Sequence, residues 1–256
     1  MKKNLIHSLM LLVAALFIAN SSAQAENLTI TAEEPKVGDF YYQDGTWSAE
    51  YKGTAANPCI GLVFAIGSGV GDKASNYPGT GMTAIRGYVV AANDATGKDG
   101  SRFRNLDAMQ VAGVQTGGKR HSGFADTKAI SKFSDYSEEN YPAAACCLKY
   151  NEKVKAPAGT SGWYLPASPQ VEAIAKSYYN HAEGTPGILF QHLDVLRKNG
   201  AGTLMGRYNY WTSTPTSRDQ GPCRVSFSTK PENTVYGVTK GTGIDKTAFT
   251  RAILTF

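Results

Sequence analysis

Four cysteines carry the most reactive side chains of the sequence: Cys59, Cys146, Cys147 and Cys223. Their spacing is not that of a zinc site. A reactive thiol needs an exposed, electropositive environment, whereas Cys146-Cys147 follows an alanine run in a predicted helix. A bond within this pair is disfavoured, because neighbouring Cα atoms are held ~3.8 Å apart. Two arrangements stay open: a disulfide from one of the pair to Cys59 or Cys223, or free thiols that pack as small core residues.

The remaining titratable residues form no catalytic pattern. His121, His181 and His192 are far apart in the sequence, and we expect His192, on the apolar face of a helix, and His181, at a helix end, to be hydrogen-bonded or capping residues. There is no Gly-x-Ser-x-Gly, His-Glu-x-x-His or paired-carboxylate motif. No local cluster supplies the six to eight oxygens that calcium takes. We therefore predict a protein without catalytic activity, cofactor or metal.

A glycine-rich loop at residues 67–71 is the nearest match to a nucleotide-binding motif. Asp72 stands where a dinucleotide fingerprint needs its third glycine, and Asn-Tyr-Pro-Gly follows instead of an amphipathic helix. Gly241-Thr242-Gly243 lacks the directly following lysine of a phosphate loop. These departures argue against nucleotide binding.

The first 25 residues have the pattern of a secretory signal peptide, with two early lysines, an apolar stretch and a small-residue cleavage site ending at Ala25. No second long apolar run follows, so we expect no membrane span in the mature chain. Its charge is 26 − 2 = 24 basic against 21 acidic residues, or +3, which gives no reason to expect a nucleic-acid partner. We expect residues 26–36 to be a lead and residues 37–256 a single exported domain.

Periodicity predicts strands near both ends of this domain and helices in its middle. Asp44-Gly45 predicts a hairpin, since that turn needs positive φ. Helices are predicted over about residues 140–150, from Ser168, and from Thr185-Pro186 to Asn199-Gly200. Residues 93–132, rich in Gly, Asp, Asn and Ser, predict a long irregular loop. The predicted strands are residues 37–42, 59–66, 86–92, 208–214, 224–228, 234–239 and 251–256.

Two motifs in fixed order carry a family resemblance: GWYLPA at residues 162–167, before a helix, and YWTST at residues 210–214, after it. With them the chain resembles the exported bacterial domain family named after the C-terminal domain of the Lcl collagen-like adhesin, also called the Fibrobacter succinogenes major paralogous domain. Pieces such as VGDFYY, CIGLVF and the terminal RAILTF are similar to Bacteroides-type secreted members. The resemblance spans roughly residues 37–256.

The resemblance implies an α+β, C-type-lectin-like fold, with a small twisted antiparallel sheet, two to three helices and long loops. Trp163 and Trp211 would then be core residues beneath the loops. Leu165, Pro166 and Ser213 complete this structural motif, and Pro166 would set the turn before the helix.

The family also implies that loops on this scaffold recognise a ligand. Binding loops favour Tyr, Asn, Ser and Arg, and such residues follow or flank the second motif. The candidate surface consists of Arg207, Tyr208, Asn209, Tyr210, Thr216, Ser217, Arg218, Asp219, Gln220 and Arg224.

Two mechanisms found elsewhere in the wider fold do not fit these residues. Sugar-binding C-type lectins hold calcium with Glu-Pro-Asn and Trp-Asn-Asp segments, but Thr212 follows Trp211 here and Pro231-Glu232-Asn233 has the wrong order. Formylglycine-generating enzymes use a reactive cysteine pair, which the alanine-rich setting of Cys146-Cys147 does not favour.

Our leading hypothesis is a non-catalytic exported or cell-surface binding protein, with adhesin-like recognition of an extracellular protein or glycan. The alternative is an accessory or tip subunit of a fimbria-like surface appendage, with other subunits as partners. An exposed apolar strand edge would favour that alternative. An enzyme of the formylglycine-generating type is a third hypothesis and would need an accessible thiol.

Overall fold

The computed structural model describes residues 33–105, 122–180, 185–206, 209–215, 222–227, 237–239 and 246–256. Residues 35–256 form one compact unit. Of the unit before it, residues 1–34, only Glu33 and Glu34 are described. The predicted signal peptide therefore lies outside the described residues, and the predicted domain boundary at residue 37 stays a prediction.

The described part of the chain contains short strands and four α-helices, together with a 3-10 turn at Ala74–Asn76. The helices are α1 (Gly123–Ser131), α2 (Pro142–Lys153), α3 (Ser168–Tyr178) and α4 (Ile188–Lys198). The strands are β1 (Phe40–Tyr42), β2 (Trp47–Ser48), β3 (Cys59–Ile66), β4 (Gly87–Ala91), β5 (Ser101–Arg102), β6 (Tyr179–Asn180), β7 (Thr185–Pro186), β8 (Asn209–Pro215), β9 (Pro222–Ser226), β10 (Gly237–Thr239), β11 (Thr247–Ala248) and β12 (Ile253–Thr255).

The largest sheet has five antiparallel strands in the order β12-β4-β3-β1-β2. A three-stranded sheet has the order β10-β9-β8, and two small ribbons pair β11 with β5 and β6 with β7. Helices and small antiparallel sheets within one unit confirm the predicted α+β class.

Strand β3 is the centre of the large sheet. It is a continuous apolar run, CIGLVFAI, bounded by Pro58 and Gly67, and all but Ile66 are buried. The predicted hairpin joins β1 to β2: Gly45 has a φ of +88°, and the Asp44 carboxylate accepts the Thr46 amide at 2.9 Å.

Successive residues of the large sheet face two different layers, as the two-residue period of a strand requires. Leu62, Phe64 and Val90 pack with apolar residues of α3 and α4, including Ile174 and Leu193. On the other side, the strands meet α2 and the two tryptophans, through the contacts of Val63, Val89, Ala143, Cys147, Trp163 and Trp211. Ile60 also belongs to this side, because the β1-β3 pairing shifts register between Tyr41 and Tyr42 and skips Ile60. The sheet is therefore covered on both faces.

Helix α1 corrects the prediction that residues 93–132 form one irregular loop. Its buried residues are Gly123, Asp126, Thr127 and Ile130, so the face it buries is mostly polar or small. An apolar stripe is the signal by which a helix is recognised, and α1 lacks one. Its start is fixed by Ser122, whose hydroxyl accepts the Ala125 amide at 3.3 Å.

Helix α4 begins later than predicted. Thr185-Pro186, expected as its N-terminus, pair instead with Tyr179-Asn180 as the β6-β7 ribbon, and the helix starts at Ile188. Between the ribbon and the helix, Gly187 allows the backbone to pass close to Tyr178, since a Cβ at position 187 would lie 2.7 Å from the carbonyl carbon of Tyr178.

Candidate functional site

Three members of the candidate surface lie among the described residues, on the paired strands β8 and β9. Trp211 is opposite Arg224, and Asn209 is opposite Ser226. Since alternate residues of a strand share a face, Asn209 and Arg224 lie on the same face of this sheet, and both are partly exposed. The members Arg207, Tyr208, Thr216, Ser217, Arg218, Asp219 and Gln220 lie outside the described residues and stay predictions.

Tyr210 lies on the opposite face of this sheet. The prediction that it belongs to the candidate surface is therefore wrong. Its side chain is 1% exposed, and its ring packs edge-on against Phe227, with ring centroids 5.4 Å apart. Its hydroxyl donates to the Asp94 carboxylate at 3.4 Å. Burial, and then the negative charge of Asp94, raise the pKa of Tyr210 well above its usual value. Tyr210 is therefore a core residue beneath the candidate surface.

A buried ion pair stands behind Tyr210 and was not foreseen from the sequence. The guanidinium of Arg251, 1% exposed, lies 2.9 Å from the Asp94 carboxylate. It also donates to the carbonyl oxygens of Ala91, Ala92 and Thr203, at 2.7 to 2.8 Å. Burial is the largest single influence and lowers the pKa of Arg251, but the charge and hydrogen bond of Asp94, together with Tyr210 and Tyr150, outweigh it, so the pKa is raised.

This cluster joins three parts of the chain: the end of β4, the segment after α4 and the residues before β12. The signal in the sequence is a single arginine directly before the apolar stretch AILTF. Such a charge is stable in a core only when it is paired and fully hydrogen-bonded.

The two tryptophans of the sequence motifs are both buried. The Trp163 indole N–H donates to the Val154 carbonyl oxygen at 2.7 Å, and that of Trp211 to the Ser101 carbonyl oxygen at 2.8 Å. Trp163 thus holds the residue that directly follows α2, and Trp211 holds strand β5.

The two motifs also bond directly to each other and to α1. The Ser213 amide donates to the Pro166 carbonyl oxygen at 2.7 Å, and its hydroxyl to the buried Asp126 carboxylate at 2.8 Å. Thr127 exchanges hydrogen bonds with the backbone of Leu165, at 3.1 and 3.3 Å. The motif residues therefore hold α1, the turn before α3 and strand β8 together.

None of the four cysteines forms a disulfide, which favours the second of the two arrangements left open by the sequence. Cys59, Cys147 and Cys223 are buried, and Cys146 is half-buried. Burial raises the pKa of Cys59 to about 12 and also raises those of Cys146 and Cys147. Because the thiolate is the nucleophile, this environment disfavours a reactive cysteine pair.

Within the described ranges, no three His, Cys, Asp or Glu side chains come together as a metal-binding group. His192 has a packing role: its Nδ1 lies 2.7 Å from the Gly38 carbonyl oxygen, and its ring stacks on Phe40 with ring centroids 4.7 Å apart. None of the helices in the described residues has the length and apolarity needed to cross a membrane.

Three large apolar side chains are exposed, one just before β1, one at the end of β3 and one at the start of α4. Val37, Ile66 and Ile188 are 37%, 48% and 36% exposed, and we call them the apolar rim. Val37 directly precedes Gly38, and a Cβ on Gly38 would lie 2.5 Å from Ile188 Cγ1. Gly38 donates to the Val63 carbonyl oxygen at 2.8 Å, three residues before Ile66 on β3.

No protein-family model matches the chain, and no curated protein matches it. Among solved structures, its fold is similar to the crystal structure of a fimbrial protein from Bacteroides ovatus ATCC 8483, with a TM-score of 0.61 and 20% sequence identity. The similarity covers 86% of this chain and 49% of that protein, so the chain spans about half of its length. At this identity the similarity establishes a shared fold.

Proposed function

We propose that this chain is an accessory or tip subunit of a surface appendage. The observation that carries the proposal is the fold shared with a fimbrial protein over 86% of the chain. The sequence adds an N-terminal pattern typical of export. Together these support a non-catalytic role at the cell surface, in contact with other subunits.

The apolar rim is the surface that we assign to subunit contact. Exposed apolar side chains that lie together mark protein–protein contacts more often than isolated ones do. Val37, Ile66 and Ile188 come from a loop, a strand end and the start of a helix, so they present apolar surface beside the point where β1 stops covering β3. This exposed apolar surface at the end of β3 supports an appendage subunit over a free adhesin.

Within that role we further propose a C-type-lectin-like domain of the Lcl C-terminal family type, with adhesin-like recognition of an extracellular protein or glycan. Asn209 and Arg224 support a recognition surface, because both are partly exposed on the face of the β8-β9 pair that also carries the buried Trp211. The Arg251–Asp94 pair beneath Tyr210 would keep that sheet rigid, which lowers the entropy cost of binding.

The appendage role is tested by following the tagged full chain in its native bacterium. Surface filaments are sheared from the cells and separated by size, and we expect the chain to co-fractionate with them. A chain found only as free monomer in cells that make filaments would refute the proposal.

The contact surface is tested by placing a charge at the apolar rim. Ile66→Glu is expected to release the chain from the filaments, because a carboxylate in an apolar contact is costly to bury. The matched control is Ser68→Glu, which adds the same charge at an exposed polar residue two positions on. Equal incorporation of both variants would show that the rim is not the contact.

The recognition surface is tested separately, on glycan and extracellular-matrix arrays. We expect Asn209→Ala combined with Arg224→Ala to abolish binding to matrix proteins and neutral glycans without affecting incorporation into filaments. Binding that the double variant retains in full would remove this face from consideration.

A further inference from the structure

A pocket of about 450 Å³ lies beside α1, bounded by the turn at residues 78–80, the segment at residues 160–164 and the end of α2. We call it the α1 pocket. Its volume is within the range of roughly 300–1,000 Å³ that small-ligand pockets occupy. None of the described candidate-surface residues lines it.

The hydroxyl groups around the α1 pocket are already used as hydrogen-bond donors. Ser131, Thr160 and Thr80 each donate to a backbone carbonyl oxygen, at 3.1, 2.8 and 2.8 Å. Thr160 and Thr80 also accept one backbone N–H each. Because a hydroxyl oxygen has two lone pairs, each keeps the capacity to accept a hydrogen bond. The pocket wall therefore favours a ligand rich in O–H donors.

Lys128 is the charged side chain among the residues that line the pocket. Its ammonium donates to the Pro78 carbonyl oxygen at 3.0 Å and lies 5.3 Å from the centre of the Phe124 ring. One of its three N–H groups is thus used, and this bond holds the charge in the wall of the pocket. The remaining N–H groups suit an anionic oxygen.

Phe124 provides an aromatic wall whose position is fixed by neighbouring rings. Its ring centroid lies 5.0 Å from that of Tyr77 and 5.8 Å from that of Tyr164. The side chain is nevertheless half-exposed and faces the pocket region. An apolar ring of this kind complements the C–H face of a sugar, as other apolar pocket walls complement ligands.

We propose that the α1 pocket binds an acidic sugar, a hexuronic or sialic acid residue of a glycan. Such a residue carries several O–H donors for the hydroxyl oxygens, an apolar face for Phe124 and a carboxylate for the Lys128 ammonium. An acidic peptide fits less well, because a backbone brings as many acceptors as donors, whereas this wall offers mainly acceptors. The inference goes beyond the appendage role and does not depend on it.

The test is calorimetric titration of the purified chain with a trisaccharide ending in glucuronic acid or N-acetylneuraminic acid and with the matching trisaccharide ending in glucose. We expect at least one acidic sugar to bind ten-fold or more tightly than the neutral one, with affinity falling as salt rises. Lys128→Met is expected to remove this preference. Lys132→Met, at an exposed lysine outside the pocket lining, is the control and should change affinity less than two-fold.

A second variant tests sugar binding in the α1 pocket without changing the charge of Lys128. Ser131→Val removes one acceptor and is expected to weaken the acidic and the neutral sugar by the same factor, with circular dichroism confirming the fold. Equal affinity for acidic and neutral sugars, full retention of binding by Lys128→Met, or binding of acidic peptides without sugars would each overturn the proposal.

Discussion

Replacing Arg251 with Met should destabilise the protein more than any change at a surface ion pair. The variant keeps most of the apolar stem but removes every donor of the guanidinium. It leaves the Asp94 carboxylate and three backbone carbonyl oxygens without these bonds. Removing one partner of a buried ion pair costs about 3–5 kcal/mol, a large part of the ~5–15 kcal/mol that stabilises a domain.

Urea unfolding measures this loss directly. With an m-value of about 2–3 kcal/mol per molar, the midpoint should fall by about 1–2 M. Arg251→Lys keeps the charge but not the planar fork of donors, so we expect an intermediate loss.

The control is Arg197→Met on α4. Its bond to Asp194 is 2.6 Å long but solvent-exposed, so the expected loss is under about 1 kcal/mol. If Arg251→Met lost no more than Arg197→Met, the buried cluster would not be a principal contribution to stability.

Three further outcomes follow from buried groups. Burial raises the pKa of Cys59 to about 12, so the protonated thiol contributes to stability fully below the pKa of an unfolded thiol, and this contribution is lost as pH rises towards 12. The free energy of unfolding measured from pH 8 to 12 should show this decline, and the decline should be smaller in Cys59→Ala. Ser213→Ala removes a donor from the buried Asp126 carboxylate and should cost about 1–3 kcal/mol in thermal or urea unfolding, whereas a neutral effect would show that Asp126 is satisfied by other partners. Gly123→Ala would bring a Cβ within 2.6 Å of a backbone nitrogen and should destabilise by about 1–3 kcal/mol or more, while Gly97→Ala, which meets nothing within 4 Å, should be nearly neutral.

Much of the large sheet could be predicted because its strands carry local signals. The predicted range of β3 equals the observed one, since its apolar run is bounded by Pro58 and Gly67. The β1-β2 hairpin follows from Asp44-Gly45, because the positive φ of Gly45 and the bond from Thr46 to Asp44 are local to the turn.

Other elements depend on tertiary contacts that a single sequence does not display. Helix α1 buries Asp126 and Thr127, and these polar residues are stable there only because Ser213 and Leu165, distant in sequence, bond to them. Tyrosine is a residue type that binding surfaces favour, but Tyr210 is buried because its position in the β8-β9 pairing places its side chain on the core face.

The candidate site was predictable only in part for the same reason. Local sequence predicts the strands that contain Asn209 and Arg224. The Arg251–Asp94 pair, in contrast, joins residues 157 positions apart, which no local pattern indicates. The α1 pocket is likewise assembled from four separate segments, and its one charge, Lys128, belongs to a helix whose pattern was not recognisable.

The position of β12 in the large sheet has a consequence for the order of folding. Strand β4 lies between β3 and β12, and Ile253 pairs with Val90 across more than half of the chain. A growing or emerging polypeptide can form the β3-β4 pair early but cannot close the sheet or place Arg251 until residues 251–255 are available. Contacts so distant in sequence slow folding. A chain with this topology therefore stays incompletely folded until residues 251–255 have been made and can pair with β4.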